Sequence, residues 1–74
     1  MTLELKQYKS DFFPNSTEPY HLGGVESVRI GTEYGEDTLG VTVFDRRVFA
    51  ANVFEYIKDA DTGEYFVKDG KCVR

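Results

Sequence analysis

Residues 53–73 read Val53-Phe54-Glu55-Tyr56-Ile57-Lys58-Asp59-Ala60-Asp61-Thr62-Gly63-Glu64-Tyr65-Phe66-Val67-Lys68-Asp69-Gly70-Lys71-Cys72-Val73, and this stretch decides the fold class. Runs rich in aromatic and β-branched residues, which fit a pleated and half-buried surface, are parted by two turn signals. Ala60-Asp61-Thr62-Gly63 separates 53–57 from 65–67, and Gly63 suits the left-handed position that closes a four-residue hairpin loop. Asp69-Gly70 separates that run from Cys72-Val73 and suits a two-residue primed turn, whose central residues both need positive φ. Strand, turn, strand, turn, strand is a meander.

Working outward, 25–32 puts Val28, Ile30 and Thr32 on one face and Ser27, Arg29 and Gly31 on the other. Tyr34-Gly35-Glu36-Asp37 reads as a turn, after which Leu39, Val41 and Val43 alternate with Gly40, Thr42 and Phe44. This is a second hairpin, followed by a short polar break at Asp45-Arg46-Arg47. At the N-terminus Leu3 and Leu5 alternate with Glu4 and Lys6, the pattern expected of an edge strand over 2–8. Residues 9–24 lose all periodicity and carry Pro14 and Pro19, each of which biases its predecessor away from helix. One long loop is expected there, either a lid over the core or an interface. Phe12, Phe13, Tyr20, His21 and Leu22 make it too apolar for a disordered linker.

The segment 48–58 reads two ways. As a strand it is apolar on both faces, with Phe49, Ala51, Val53 and Ile57 opposite Val48, Ala50, Phe54 and Tyr56. As a helix, Phe49, Val53 and Ile57 fall at i, i+4 and i+8, with Asp45 placed to cap it. β-Branched and aromatic residues outnumber the rest and tilt the reading to strand. The expectation is a mainly β single domain over residues 1–74, a small antiparallel meander of five or six strands. The alternative is α+β, with one helix at about 46–58 packed on a small antiparallel sheet. If the segment is a strand, Phe49 and Val53 are expected to face the core, and Phe54 and Tyr56 a second face.

A chain of 74 residues has little core to spare. Domains this small bury about 60% of their unfolded surface. Six Phe and five Tyr supply much of the apolar area. The single cysteine, Cys72, rules out an internal disulfide, where small secreted domains usually carry several. No basic start leads into an apolar run, and nothing approaches the ~20 apolar residues of a membrane-spanning helix, so a cytoplasmic setting is expected. Asn15-Ser16-Thr17 fits a glycosylation acceptor but reads as polar loop. A net charge of −4 argues against direct contact with nucleic acid or an anionic membrane, which is driven by neutralising phosphates with Lys and Arg.

The motifs that carry chemistry fail on inspection. Asp61-Thr62-Gly63 resembles the active-site triplet of aspartic proteases, but that reaction needs two carboxylates sharing a proton, and a hairpin turn explains all three letters. Asp59 and Asp61 begin like a calcium loop, yet Gly63 stands at its fifth position and Gly70 at its twelfth, where acidic ligands are wanted. His21 stands alone; it lacks the partners of a metal site, and no spacing brings it to Cys72. The glycines form no phosphate-binding signature. Neither a catalytic set nor a metal or cofactor site is expected.

What remains is surface. Phe12, Phe13, Tyr20, Phe54 and Tyr56 are the candidate partner surface, because interfaces enrich Phe and Tyr. Glu33, Glu36, Asp37, Asp59, Asp61 and Glu64, gathered at two turns, are the candidate acidic contact. The favoured expectation is a small acidic, non-enzymatic module that binds another protein or itself as a homodimer. The second is a phage-encoded inhibitor of a host nucleic-acid-binding complex, of defence or transcription, acting by acidic mimicry. The third is a small hydrolase or ligand-binding enzyme.

Overall fold

The computed structural model describes residues 1–8, 18–33 and 35–73, with Glu33 in its backbone alone. Among these the chain is mainly β, with eight strands in two antiparallel sheets and no α-helix. The strands are β1 (Leu3–Gln7), β2 (Tyr20–Leu22), β3 (Ser27–Glu33), β4 (Glu36–Thr42), β5 (Arg46–Ala50), β6 (Phe54–Asp59), β7 (Tyr65–Lys68) and β8 (Lys71–Cys72). The five-stranded sheet has the order β2-β1-β6-β7-β8, and the three-stranded sheet the order β3-β4-β5.

The turns follow their residues. Asp69 (φ 55°) and Gly70 (φ 79°) are both left-handed, as a two-residue primed turn requires. They close β7 on β8 with Lys68 opposite Lys71. At the other hairpin the Gly63 N–H donates to the Asp59 carbonyl at 2.7 Å, with Gly63 at φ 79°. β6, β7 and β8 are the expected meander. The β3–β4 hairpin is likewise as expected, with Leu39, Val41 and Val43 buried. Its turn is tighter than expected, because Glu36 and Asp37 belong to β4.

Four expectations are corrected. The segment 46–58 is neither one strand nor a helix. A 3-10 turn at Ala51–Val53 divides it and carries the chain from the small sheet to the large one. The polar break before it is shorter than Asp45-Arg46-Arg47, since both arginines belong to β5. β1 is no edge: β2 and β6 pair on its two sides. The stretch 9–24 is not one loop, because Tyr20–Leu22 forms β2, with Leu3 opposite Leu22 and Leu5 opposite Tyr20. Residues 9–17, with Phe12 and Phe13, lie outside the described residues.

The faces of β6 also differ from expectation. Phe54 is buried at 4% exposure, while Val53 is 47% exposed. The cause is a bulge: Gln7 pairs with Phe54 and Lys6 with Tyr56, leaving Glu55 as an extra residue. Phe54 and Ile57, three apart, therefore both reach the core. Their partners there are Leu3 and Leu5 of β1, Leu39 and Val41 of β4, Ala51 of the 3-10 turn, Val67 of β7, Val25 and Val43. One core thus lies between the two sheets. Polar ties hold them together: Met1 and Val25 exchange backbone hydrogen bonds at 2.8 and 2.9 Å. The Cys72 N–H donates to the Asp37 carboxylate at 3.2 Å.

Candidate interaction surfaces

The outer face of the large sheet carries a closed polar network. Alternation along β1 turns Leu3 and Leu5 inward and Glu4 outward, and the register sets Glu4 between His21 and Lys58. The Tyr56 hydroxyl donates to Glu4 Oε2 at 2.5 Å, His21 Nε2 lies 3.1 Å from Oε1, and Lys58 Nζ lies 3.5 Å from Oε2. The Tyr56 hydrogen bond chiefly holds the Glu4 carboxyl below the usual range; partial burial works against it, and His21 and Lys58 add to the lowering. The same bond, then burial and the negative charge of Glu4, pushes the Tyr56 hydroxyl up to about 12. Glu4 is therefore ionised and Tyr56 protonated at neutral pH. The rings are occupied as well. A second bulge, at Phe66, sets Tyr65 opposite Lys58, with Tyr56 and Tyr65 meeting edge to face at 5.9 Å. Lys58 sits over both rings at 5.6 and 5.7 Å, and Lys68 over Tyr65 at 5.3 Å. This face is a strut across four strands, β2, β1, β6 and β7.

A groove opens where β1 and β2 of one sheet meet β5 of the other. Its volume is about 410 Å³, and buried Leu5 and Phe54 form its base. Leu22 and Phe49 line its walls, and the Phe49 and Phe54 rings meet edge to face at 5.5 Å. Tyr20, 63% exposed, stands at its rim with Glu18 and Arg47. The volume falls within the ~300–1,000 Å³ of ordinary binding pockets, and the lining is apolar with few polar groups. A separate open trough crosses the outer face of the small sheet, lined by Ser27, Gly31, Thr38, Gly40 and Thr42, with Arg29 and Arg46 beside them.

Of the expected partner surface, Tyr20 and Phe54 come together in the groove, Phe54 as base and not as exposed anchor. Tyr56 lies on the opposite face of the sheet, in the strut. Phe49 and Arg47 belong to the groove and were not expected there; Leu22 comes from the stretch expected as lid or interface, but β2, which brings it beside β1, leaves no periodic signal in three residues. The acidic residues are divided. Asp59 Oδ1 accepts the N–H groups of Asp61 and Thr62 at 2.8 and 3.3 Å, and Asp61 Oδ2 accepts that of Thr2 at 3.3 Å. Asp37 holds Cys72. Glu36 and Glu64 are exposed. Asp61-Thr62-Gly63 is a turn, with the Thr62 hydroxyl accepting the Glu64 N–H at 3.3 Å. The Cys72 thiol donates to the Thr38 carbonyl at 3.6 Å, and burial, with the charge of Asp37, pushes it up. Among the described residues no three His, Cys, Asp or Glu side chains gather to hold a metal ion, and no helix is long and apolar enough to cross a membrane.

Comparison with protein-family models, with curated proteins and with solved structures finds no match to this chain.

Proposed function

We propose that this chain is a small binding module that holds another protein and transforms no substrate. The observation that carries the reading is the groove between the sheets. An exposed tyrosine overhangs a buried apolar base, and small folds seldom leave such a combination unused. The occupant it fits is an apolar side chain of another protein with charged neighbours, since Glu18 and Arg47 offer opposite charges at the rim. Acidic mimicry is the weaker reading. Asp37, Asp59 and Asp61 each accept backbone N–H groups of the fold, which ties up part of their hydrogen-bonding capacity although their charge remains.

The test is site-specific photocrosslinking in the cells that make this chain. A photoreactive phenylalanine at position 20 should give one dominant adduct with another protein, and Tyr20→Ser or Phe49→Ser should abolish binding of that protein. The same probe at Phe44, 96% exposed at the β4–β5 turn, should give none. Equal labelling from both positions would sink the groove as the binding surface.

A further inference from the structure

We propose that two copies of this chain join edge to edge through β3, antiparallel, merging their three-stranded sheets into one of six strands. The strands at sheet ends differ in how they are protected. β2 has three residues and β8 two, too short to template much pairing. β5 opens on Arg46-Arg47 and runs directly into the 3-10 turn. β3 has seven residues, Ser27-Val28-Arg29-Ile30-Gly31-Thr32-Glu33, and neither proline nor lysine. Its pairing with β4 runs without a bulge from Ser27 opposite Thr42 to Glu33 opposite Glu36. A long, regular end strand of this kind presents unpaired N–H and C=O groups that a second strand satisfies. Val28 and Ile30 are only partly buried at the core margin, so an added strand would cover them.

The strand is complementary to itself. A two-fold axis at Gly31 sets position 29 against position 33 and position 30 against position 32, so the register pairs an arginine with a glutamate and an isoleucine with a threonine. Each contact occurs twice. Glycine at the axis leaves no side chain to collide. Arg29 is exposed and makes no ion pair among the described residues. The inference stands apart from the groove, to whose lining β3 contributes nothing; either can fail without the other.

Sedimentation and light scattering over a concentration series test it. The mass should rise from the 8.5 kDa of one chain toward twice that value, and amide exchange over 27–33 should slow as concentration rises. Arg29→Glu and Glu33→Arg should each weaken association about tenfold or more by placing like charges opposite each other. The double reversal Arg29→Glu/Glu33→Arg should restore it, with melting curves confirming that each variant folds. A single-chain mass into the millimolar range would overturn the proposal. So would a dimer indifferent to these changes. Loss with Arg29→Glu that the double reversal fails to rescue would overturn it too, and would assign Arg29 to the hydroxyl-lined trough.

Discussion

Glu4 holds three donors around one carboxylate, and its geometry sets how the molecule responds to pH. Its folded pKa is depressed, so the stability it contributes is present above its ordinary value of 4.5 and is lost as pH falls through the folded value. Tyr56 has the opposite sign. Its pKa is raised, so its contribution is complete below 10 and is lost as pH rises toward about 12. Ultraviolet titration should therefore show one tyrosine ionising near 12, and Glu4→Gln should bring it back toward 10. A tyrosine that titrates identically in both proteins would contradict the strut. At the turns the cost is in the backbone. A Cβ on Gly63 meets nothing within 4 Å, so the cost of Gly63→Ala is the backbone strain of an L-residue held at φ 79°. That should cost about 1–2 kcal/mol in chemical denaturation. Asp69→Gly, at φ 55°, should cost little or stabilise.

The 3-10 turn and the two bulges decide which side chains the sheets bury. Because Glu55 is extra in β6, Phe54→Ala should cost about 3–5 kcal/mol, and Val53→Ala, half exposed, under ~1 kcal/mol. Comparable losses for the two would place Val53 in the core after all. The same elements mark where the fold is legible in the residues alone. Asp69-Gly70 and Gly63 declare their turns because positive φ is a local demand that glycine and aspartate meet. The alternation of Leu39, Val41 and Val43 declares β4, because a sheet with one buried face imposes a period of two. The bulges at Glu55 and Phe66 interrupt that period, and partners distant in sequence, Lys6 with Gln7 and Ile57 with Lys58, set them. The groove is less legible for the same reason. Tyr20 stands out as an aromatic in a proline-bearing stretch, but its neighbours Phe49 and Phe54 arrive only through the path of the 3-10 turn.

At the scale of the whole molecule, one core serves two sheets, and the expected consequence is that they unfold as a single cooperative unit. Leu3 of the large sheet and Leu39 of the small one are both fully buried in the same cluster. Among the described residues neither sheet has a second apolar layer of its own: the outer face of the large one is the Glu4 strut, and that of the small one the hydroxyl-lined trough. Separated from its partner, each sheet would expose its apolar side to water. A domain of this size has a net stability of only a few kcal/mol. Leu3→Ala and Leu39→Ala should each remove about 2–5 kcal/mol, most of what is available. Both should lower the melting temperature of the entire chain in one step. Far-ultraviolet dichroism and tyrosine fluorescence should trace coincident curves in each variant, although Tyr56 and Tyr65 sit in the large sheet alone. The sharper result is Leu39→Ala in a Tyr34→Phe background, where the lesion lies in the small sheet and the remaining tyrosines, Tyr8, Tyr20, Tyr56 and Tyr65, lie in or next to strands of the large one. If fluorescence there holds its parental midpoint while dichroism shifts, the two sheets fold separately and the shared core is refuted.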